Sequence, residues 1–238
     1  MEIGFLSILA LGFVLGIKHA IEPDHIIAVS TIASQSKKLF RSTLAGVFWG
    51  IGHTATLFII GIILIFMKGE IPEKWAMSLE FLVGIMLVYL GLTTVFSLKN
   101  IHVHQHEHDG EEHKHIHSHI HSGKHEHKHQ HTNVSYLKSM LIGLVHGLAG
   151  SGAMVLLTMS TVKSVWEAAI YILIFGVGTI IGMLFFTTLI GLPFVFSAKK
   201  VPLNKTLTQI TGNISIVFGV YYMYNLGITE GLFKLWIQ

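Results

Sequence analysis

The 238-residue chain has no cysteine, and that gap removes several kinds of chemistry at once. No disulfide framework holds it, no zinc-thiolate site forms in it, and no soft metal is handled by thiolate. Any metal it binds is held by nitrogen and oxygen. Charge is scarce as well: Asp, Glu, Lys and Arg make up 12% of the residues against 51% hydrophobic ones. With a mean hydropathy of +0.62, the chain is too apolar for a soluble domain of this length. No phosphate-binding G-x-x-x-x-G-K-[ST] motif occurs, so the chain does not itself hydrolyse ATP. A basic n-region is missing before Phe5, and the first apolar stretch runs straight into a polar motif. That stretch is expected to stay as a resident helix rather than to be cleaved.

What is present is a series of apolar stretches of about 20 residues or more, each able to cross a hydrocarbon core about 30 Å thick. Six spans are predicted, over residues 3–36 (interrupted), 42–67, 77–98, 134–163 (interrupted), 165–197 and 206–226, giving an all-α, multi-pass membrane protein. The net charge of +3 comes from basic residues at the span edges. Lys37, Lys38, Arg41, Lys99, Lys114, Lys124, Lys128, Lys138, Lys199, Lys200 and Lys205 share one face, and Lys68, Lys74, Lys163 and Lys234 take the other. By the positive-inside rule the first face is cytoplasmic, which puts both termini outside the inner (plasma) membrane and the long central loop inside. Orientation thus accounts for the basic charge, so the expected partner is the lipid bilayer and not nucleic acid.

The sequence repeats itself weakly. "LGIKHAIEPDHIIAVSTI" lies over "IGLVHGLAGSGAMVLLTM", pairing Gly16 with Gly143 and His19 with His146 at an offset of 127. Gly50 and Gly52 pair with Gly176 and Gly178 at 126, and Gly84 and Gly91 with Gly212 and Gly219 at 128. Near-constant offsets over three spans predict two three-helix repeats, residues 1–98 and 134–238, around a loop at 99–133. Three is odd, so the second repeat enters the membrane from the opposite side. Such inverted repeats place a transporter's substrate at discontinuous helices near the midplane. Both leading helices are expected to break, the first at Pro23 and the second at "AGSG" (149–152).

His19-Ala-Ile-Glu-Pro-Asp24-His25 carries most of the chemical information. On a continuous helix His19 and His25 point about 120° apart and Asp24 faces elsewhere. A break at Pro23 lets two half-helices present these side chains to one cavity, with Asp24 or Glu22 able to cap the second. An acid at such depth costs about 2.5 to 3.5 kcal/mol unless it is paired. A divalent cation pairs it, and two imidazoles with a carboxylate suit Ni(II), Co(II) or Zn(II). His53, between glycines in "GIGHTATL", is a fourth candidate ligand, or an imidazole hydrogen-bonded within the bundle. His146, the counterpart of His19, is as readily a supporting residue as a ligand, since its repeat has Ser151 and Gly152 where the first has Asp24 and His25. Thr179, the counterpart of His53, is expected along the exit path.

His, four residues, then Asp-His resembles the signature of the nickel/cobalt transporter family, and "GIGHTATLF" resembles that family's following-helix motif. Compact six-helix nickel permeases associated with urease and hydrogenase share the layout. The resemblance implies transport of nickel or cobalt, with His19, Asp24, His25 and His53 as functional positions and no cofactor beyond the transported ion. Acidic residues that longer members carry in a later helix have no expected counterpart, so no second acidic station is anticipated.

Residues 102–131 hold every histidine except His19, His25, His53 and His146. The segment reads as a disordered cytoplasmic loop that binds several divalent ions weakly. His125-Glu126-His127-Lys128-His129 matches H-E-x-x-H only in spacing, because that motif needs a stable helix, so no protease and no other enzyme is read here. Four functions remain open: uptake of Ni(II) or Co(II), with a cytoplasmic metallochaperone as a further partner; efflux of the same ions; a zinc carrier; and a non-transporting membrane metal sensor. The missing cysteines make the orientation simple to test. Ser118→Cys should be shielded from a membrane-impermeant thiol reagent in intact cells and Glu230→Cys should be labelled; the opposite pattern reverses the topology.

Overall fold

A computed structural model describes residues 3–67, 71–98, 101–108, 111–118, 135–161 and 164–237, with only the backbone described for 101–108, 111–118 and 150–161. Its helices are α1 (Ile3–His19), α2 (Pro23–Ser34), α3 (Leu39–Met67), α4 (Glu73–Ser97), α5 (Tyr136–Thr161), α6 (Val165–Ser197), α7 (Val201–Tyr224) and α8 (Leu232–Ile237), with a π-helical turn at Asn225–Thr229 between the last two. Among the described residues α3, α4 and α6 are each long and apolar enough to cross a membrane, and α1 with α2 forms a fourth such unit bent by 56°. Six spans were expected. The other two stretches fall short for different reasons: the apolar part of α5 that is described ends at Ala149, and α7 carries Asn204, Lys205, Thr206, Thr208, Gln209, Thr211 and Asn213.

The break before Pro23 forms as expected. Proline has no N–H to donate, so α1 closes at His19, and Pro23 starts α2 in the first-turn position that tolerates it. The second expected break does not form, for α5 runs unbroken from Tyr136 to Thr161. Glycine and serine in "AGSG" weaken a helix by up to about 1 kcal/mol per residue but keep their N–H groups, whereas proline removes one and clashes with the preceding turn. Within 102–131, expected to lack secondary structure, two antiparallel strands are described: β1 (Ile101–His108) and β2 (Glu111–Ser118). Histidines alternate there with a period of two, the spacing of side chains along a strand. Residues 119–134 lie outside the described set.

Glycine sets the helix spacing. Any Cβ on Gly16 would run into the Phe175 carbonyl oxygen, and one on Gly143 into that of Trp49. Gly178 lies on the Phe13 carbonyl and Gly52 on that of Met140. Each contact has a partner at the sequence offsets of 126 and 127. Gly84 similarly meets Gly219 while Gly91 meets Gly212. Buried hydroxyls join the same interfaces: Thr56 Oγ1 donates to the Leu144 carbonyl at 3.0 Å and Ser215 Oγ to that of Leu87 at 2.7 Å. Close backbones and hydroxyl donors are how apolar helices associate when hydrophobicity gives no preference for a neighbour over lipid. Outside, Leu6, Val14, Phe66, Leu189, Phe196 and Val217 are exposed.

This packing predicts a sharp contrast between glycines. Gly143→Ala or Gly16→Ala should destabilise the detergent-solubilised protein by about 1–3 kcal/mol through overpacking. Gly4→Ala, where a Cβ meets nothing within 4 Å, should be neutral or mildly stabilising. Thermal unfolding of the purified variants reads the difference.

Candidate metal centre

Five side chains from four helices meet at the break. His19 ends α1, Asp24 and His25 open α2, His53 comes from α3 and His146 from α5. His53 lies fourteen residues from either end of α3, at its midpoint. His25, His53 and His146 are 1–2% exposed, and Asp24 is 19% exposed. Ring centroids of His25 stand 4.4 Å from His19, 5.1 Å from His53 and 4.1 Å from His146. All five line a cavity of about 320 Å³.

Hydrogen bonds fix which nitrogens face inward. Asp24 Oδ2 accepts from His146 Nε2 at 2.8 Å and Oδ1 from His25 Nδ1 at 3.3 Å. Both carboxylate oxygens are thus used, one on each imidazole. Nε2 of His25 and Nδ1 of His146 remain buried without a hydrogen-bond partner among the described residues, as does Nδ1 of His53. His19 Nδ1 lies 2.9 Å from Glu22 Oε2. With that nitrogen donating, His19 Nε2 carries the lone pair, and it accepts from His53 Nε2 at 3.0 Å. A carboxylate behind an imidazole in this way sets its tautomer and raises its basicity as a ligand.

Two overlapping triads result, His19 with His25 and His53, and Asp24 with His25 and His146; within each, the potential ligand atoms lie within 4.8 Å of one another. Donors about 2.1 Å from one ion stand at most about 4.2 Å apart. Either triad is therefore within about 1 Å of the spread that one cation allows, once the hydrogen bonds among Asp24 and the imidazoles give way. The donor set is nitrogen and oxygen throughout, which suits Ni(II), Co(II) or Zn(II). Trp49 stacks on His25 with centroids 5.6 Å apart and closes the cluster on one side, and Phe175 lies 5.4 Å from His19.

The structure brings all five sequence candidates together, His146 included. Thr179 does not line the cavity; buried, it donates to the Gly16 and Phe175 carbonyls. Ser151 and Gly152 lie where only the backbone is described. Neither acid at the break acts as expected for a cap: Glu22, at the N-cap position, makes no side-chain cap bond and turns to His19, while Asp24 turns to the imidazoles. Sequence reasoning also passed over Lys18, Glu80 and Tyr222, which line the same cavity. Glu80 had a visible signal, being an isolated acid within an apolar span.

Comparison with known proteins agrees with a membrane-embedded helical chain. Residues 7–221 match the family described as the cytochrome C biogenesis protein transmembrane region, and the chain belongs to that family. It is 60% identical over 237 residues to the urease accessory protein UreH of Bacillus sp. (strain TB-90), covering 100% of this chain and 99% of that one. Two Arabidopsis thaliana proteins are more distant: chloroplast protein FOR GROWTH AND FERTILITY 1 at 25% identity (91% of this chain, 59% of that protein) and FOR GROWTH AND FERTILITY 2 at 24% (88% and 54%). The chain spans little more than half the length of these plant proteins. No solved structure matches it. The family's description names a transmembrane region, and the bacterial relative is named as an accessory protein, not as an enzyme.

The geometry separates Asp24 from Glu22. Asp24→Asn keeps the size of the side chain but removes the charge facing the cation, so affinity for Co(II) should fall at least tenfold, about 1.4 kcal/mol. Glu22→Gln leaves every donor of both triads in place and should cost about tenfold to a hundredfold through the orientation of His19. Titration of the purified variants, followed by the visible absorption of bound Co(II) with His25→Ala, which removes the ligand common to both triads, as baseline, measures both. Wild-type affinity in Asp24→Asn would remove that residue from the site.

Proposed function

We propose that the protein carries divalent transition-metal ions, Ni(II) and Co(II), across the membrane into the cytoplasm. The observation that carries this reading is the convergence of His19, Asp24, His25, His53 and His146 on one cavity at mid-helix depth in an apolar bundle. Buried imidazoles and a carboxylate are costly among apolar helices. A dication offsets that cost, and the nitrogen and oxygen donor set suits Ni(II) and Co(II) in type. The resemblance of His19–His25 and "GIGHTATLF" to the nickel/cobalt transporter signature points the same way. So does the 60% identity to a protein named for urease, since urease is a nickel enzyme. In this reading the chain supplies nickel to urease maturation, and a cytoplasmic metallochaperone is a natural recipient.

The arrangement suits alternating access. Glycine contacts paired at offsets of 126–128 fit two inverted repeats that rock against each other around a fixed site. Either triad can hold the ion while sharing His25, so a small shift of one repeat hands it from one set of ligands to the other. The family match adds no competing redox role: with no cysteine, the chain cannot perform thiol–disulfide exchange. The histidine-rich segment at 102–131 is in this reading a cytoplasmic store that takes up ions after release.

Proteoliposomes holding the purified chain and loaded with a metal-sensitive dye test the reading. Ni(II) and Co(II) should enter faster than Zn(II), and His19→Ala and His25→Ala should each lower flux at least tenfold while the protein elutes as a folded species. A wild-type protein that binds these ions but moves none would identify a membrane metal sensor instead.

A further inference from the structure

The cavity contains one carboxylate that the metal centre does not use. Glu80 lies on α4, partly buried, on the same face as Val83 one turn later, and both line the cavity with Asp24. The other two cavity carboxylates are occupied by imidazoles: Glu22 by His19, Asp24 by His25 and His146. Glu80 has no histidine, lysine or arginine within ion-pair distance among the described residues. Its contact is Tyr222 on α7, whose hydroxyl lies 3.5 Å from Oε2, at the outer limit of a hydrogen bond. Tyr222 is itself fixed by packing on Phe218, with ring centroids 6.0 Å apart and planes within 11°. One oxygen of Glu80 is thus lightly tethered and the other is available to a cation.

Depth orders these groups. Glu80 is seven residues into α4, about 10 Å from that helix's start. His53 is fourteen residues from the end of α3, about 21 Å in from the same side, because a short connection joins that end to α4. Tyr222 is two residues before the end of α7. The exposed Glu230 follows the π-helical turn after α7, where its Oε1 accepts from Asn225 Nδ2 at 2.6 Å. The acids on this side are thus the exposed Glu230 beyond the end of α7 and Glu80 about 10 Å into α4, with Asp24 beside the histidines in the cavity that Glu80 lines.

On the reading that the cavity transports divalent metal ions, we infer that Glu80 is the admitting residue: a transient carboxylate ligand that draws the dication from the Glu230 side of the protein and passes it to the histidine cluster. Negative charge along a low-dielectric cleft raises the local concentration of a cation and its rate of capture. A single carboxylate with one free oxygen holds an ion weakly enough to release it to three or four imidazole and carboxylate donors deeper in. Glu80 thus governs how fast the site fills, and the cluster governs how tightly the ion is held.

Capture rate and flux are measured separately, so failure of one idea does not hide failure of the other. Trp49 stacks on His25 and reports binding by fluorescence quenching, so the full-length protein is mixed with NiCl2 in a stopped-flow instrument. The component that His25→Ala abolishes is taken as filling of the centre. Glu80→Gln should fill at least fivefold more slowly than wild type, and its rate should depend less steeply on ionic strength. Its equilibrium number of bound ions at saturation should be unchanged. Glu80→Asp, which keeps the charge, should stay within about twofold of wild type. An unchanged rate in Glu80→Gln, or an equally slow Glu80→Asp, overturns the assignment. So does a Glu80→Gln variant that fills normally but whose flux no longer responds to a pH gradient, for Glu80 then serves protons. Slowed filling in a protein whose wild type moves no nickel would sink the transport reading and leave the admitting role of Glu80 standing.

Discussion

Everything at the centre of this molecule depends on the Asp24 carboxylate, which is bound at one oxygen by an imidazole of its own helix and at the other by an imidazole of α5. Without a negative charge there, His25 and His146 have no common acceptor. Without the proline beside it, the carboxylate has no reason to face inward. Pro23 ends the helix that carries His19 and begins the one that carries Asp24 and His25, so one residue lacking an N–H assembles donors that a continuous helix would scatter. The break is tolerable at this depth because its polar groups face a cavity instead of lipid.

The polar centre in turn relies on how tightly the surrounding helices pack. Gly16, Gly52, Gly143 and Gly178 let backbones meet at carbonyl distance, and buried threonines and serines bond across the resulting seams. Trp49 and Phe175 show how the two features are linked. Their carbonyl oxygens lie against Gly143 and Gly16, while their rings close over His25 and His19. Helix spacing and the walls of the cavity are therefore set by the same residues.

Much of this was legible in the amino-acid order. His19, Asp24, His25 and His53 could be named because ionisable residues stand out in apolar spans, and His146 because it falls one repeat length from His19. The break at Pro23 followed from covalent structure. The break expected at "AGSG" did not form, because glycine and serine weaken a helix but keep their N–H groups, whereas proline removes a donor outright. The pairing of Glu22 with His19 was hidden for another reason: the spacing of three allowed it, but the same acid was also placed to cap α2, and only geometry decides between the two. Glu80 was visible as an isolated acid, yet nothing in the linear order says which face of α4 turns toward the histidines. The shortfall of α7 against the six expected spans reflects polar content that hydropathy windows average away when the apolar stretches on either side are strong, whereas the described apolar part of α5 ends at Ala149.

The position of His53 has an electrical meaning. At the midpoint of α3, it would place an ion held as proposed about halfway through whatever voltage the bilayer sustains. A dication moved to that point crosses about half the field with twice the unit charge, so each 100 mV changes its binding free energy by about 2.3 kcal/mol, close to fiftyfold in occupancy. On the proposed reading, the bilayer's own potential would act on this centre as strongly as the loss of a ligand, favouring its filling from the positive side.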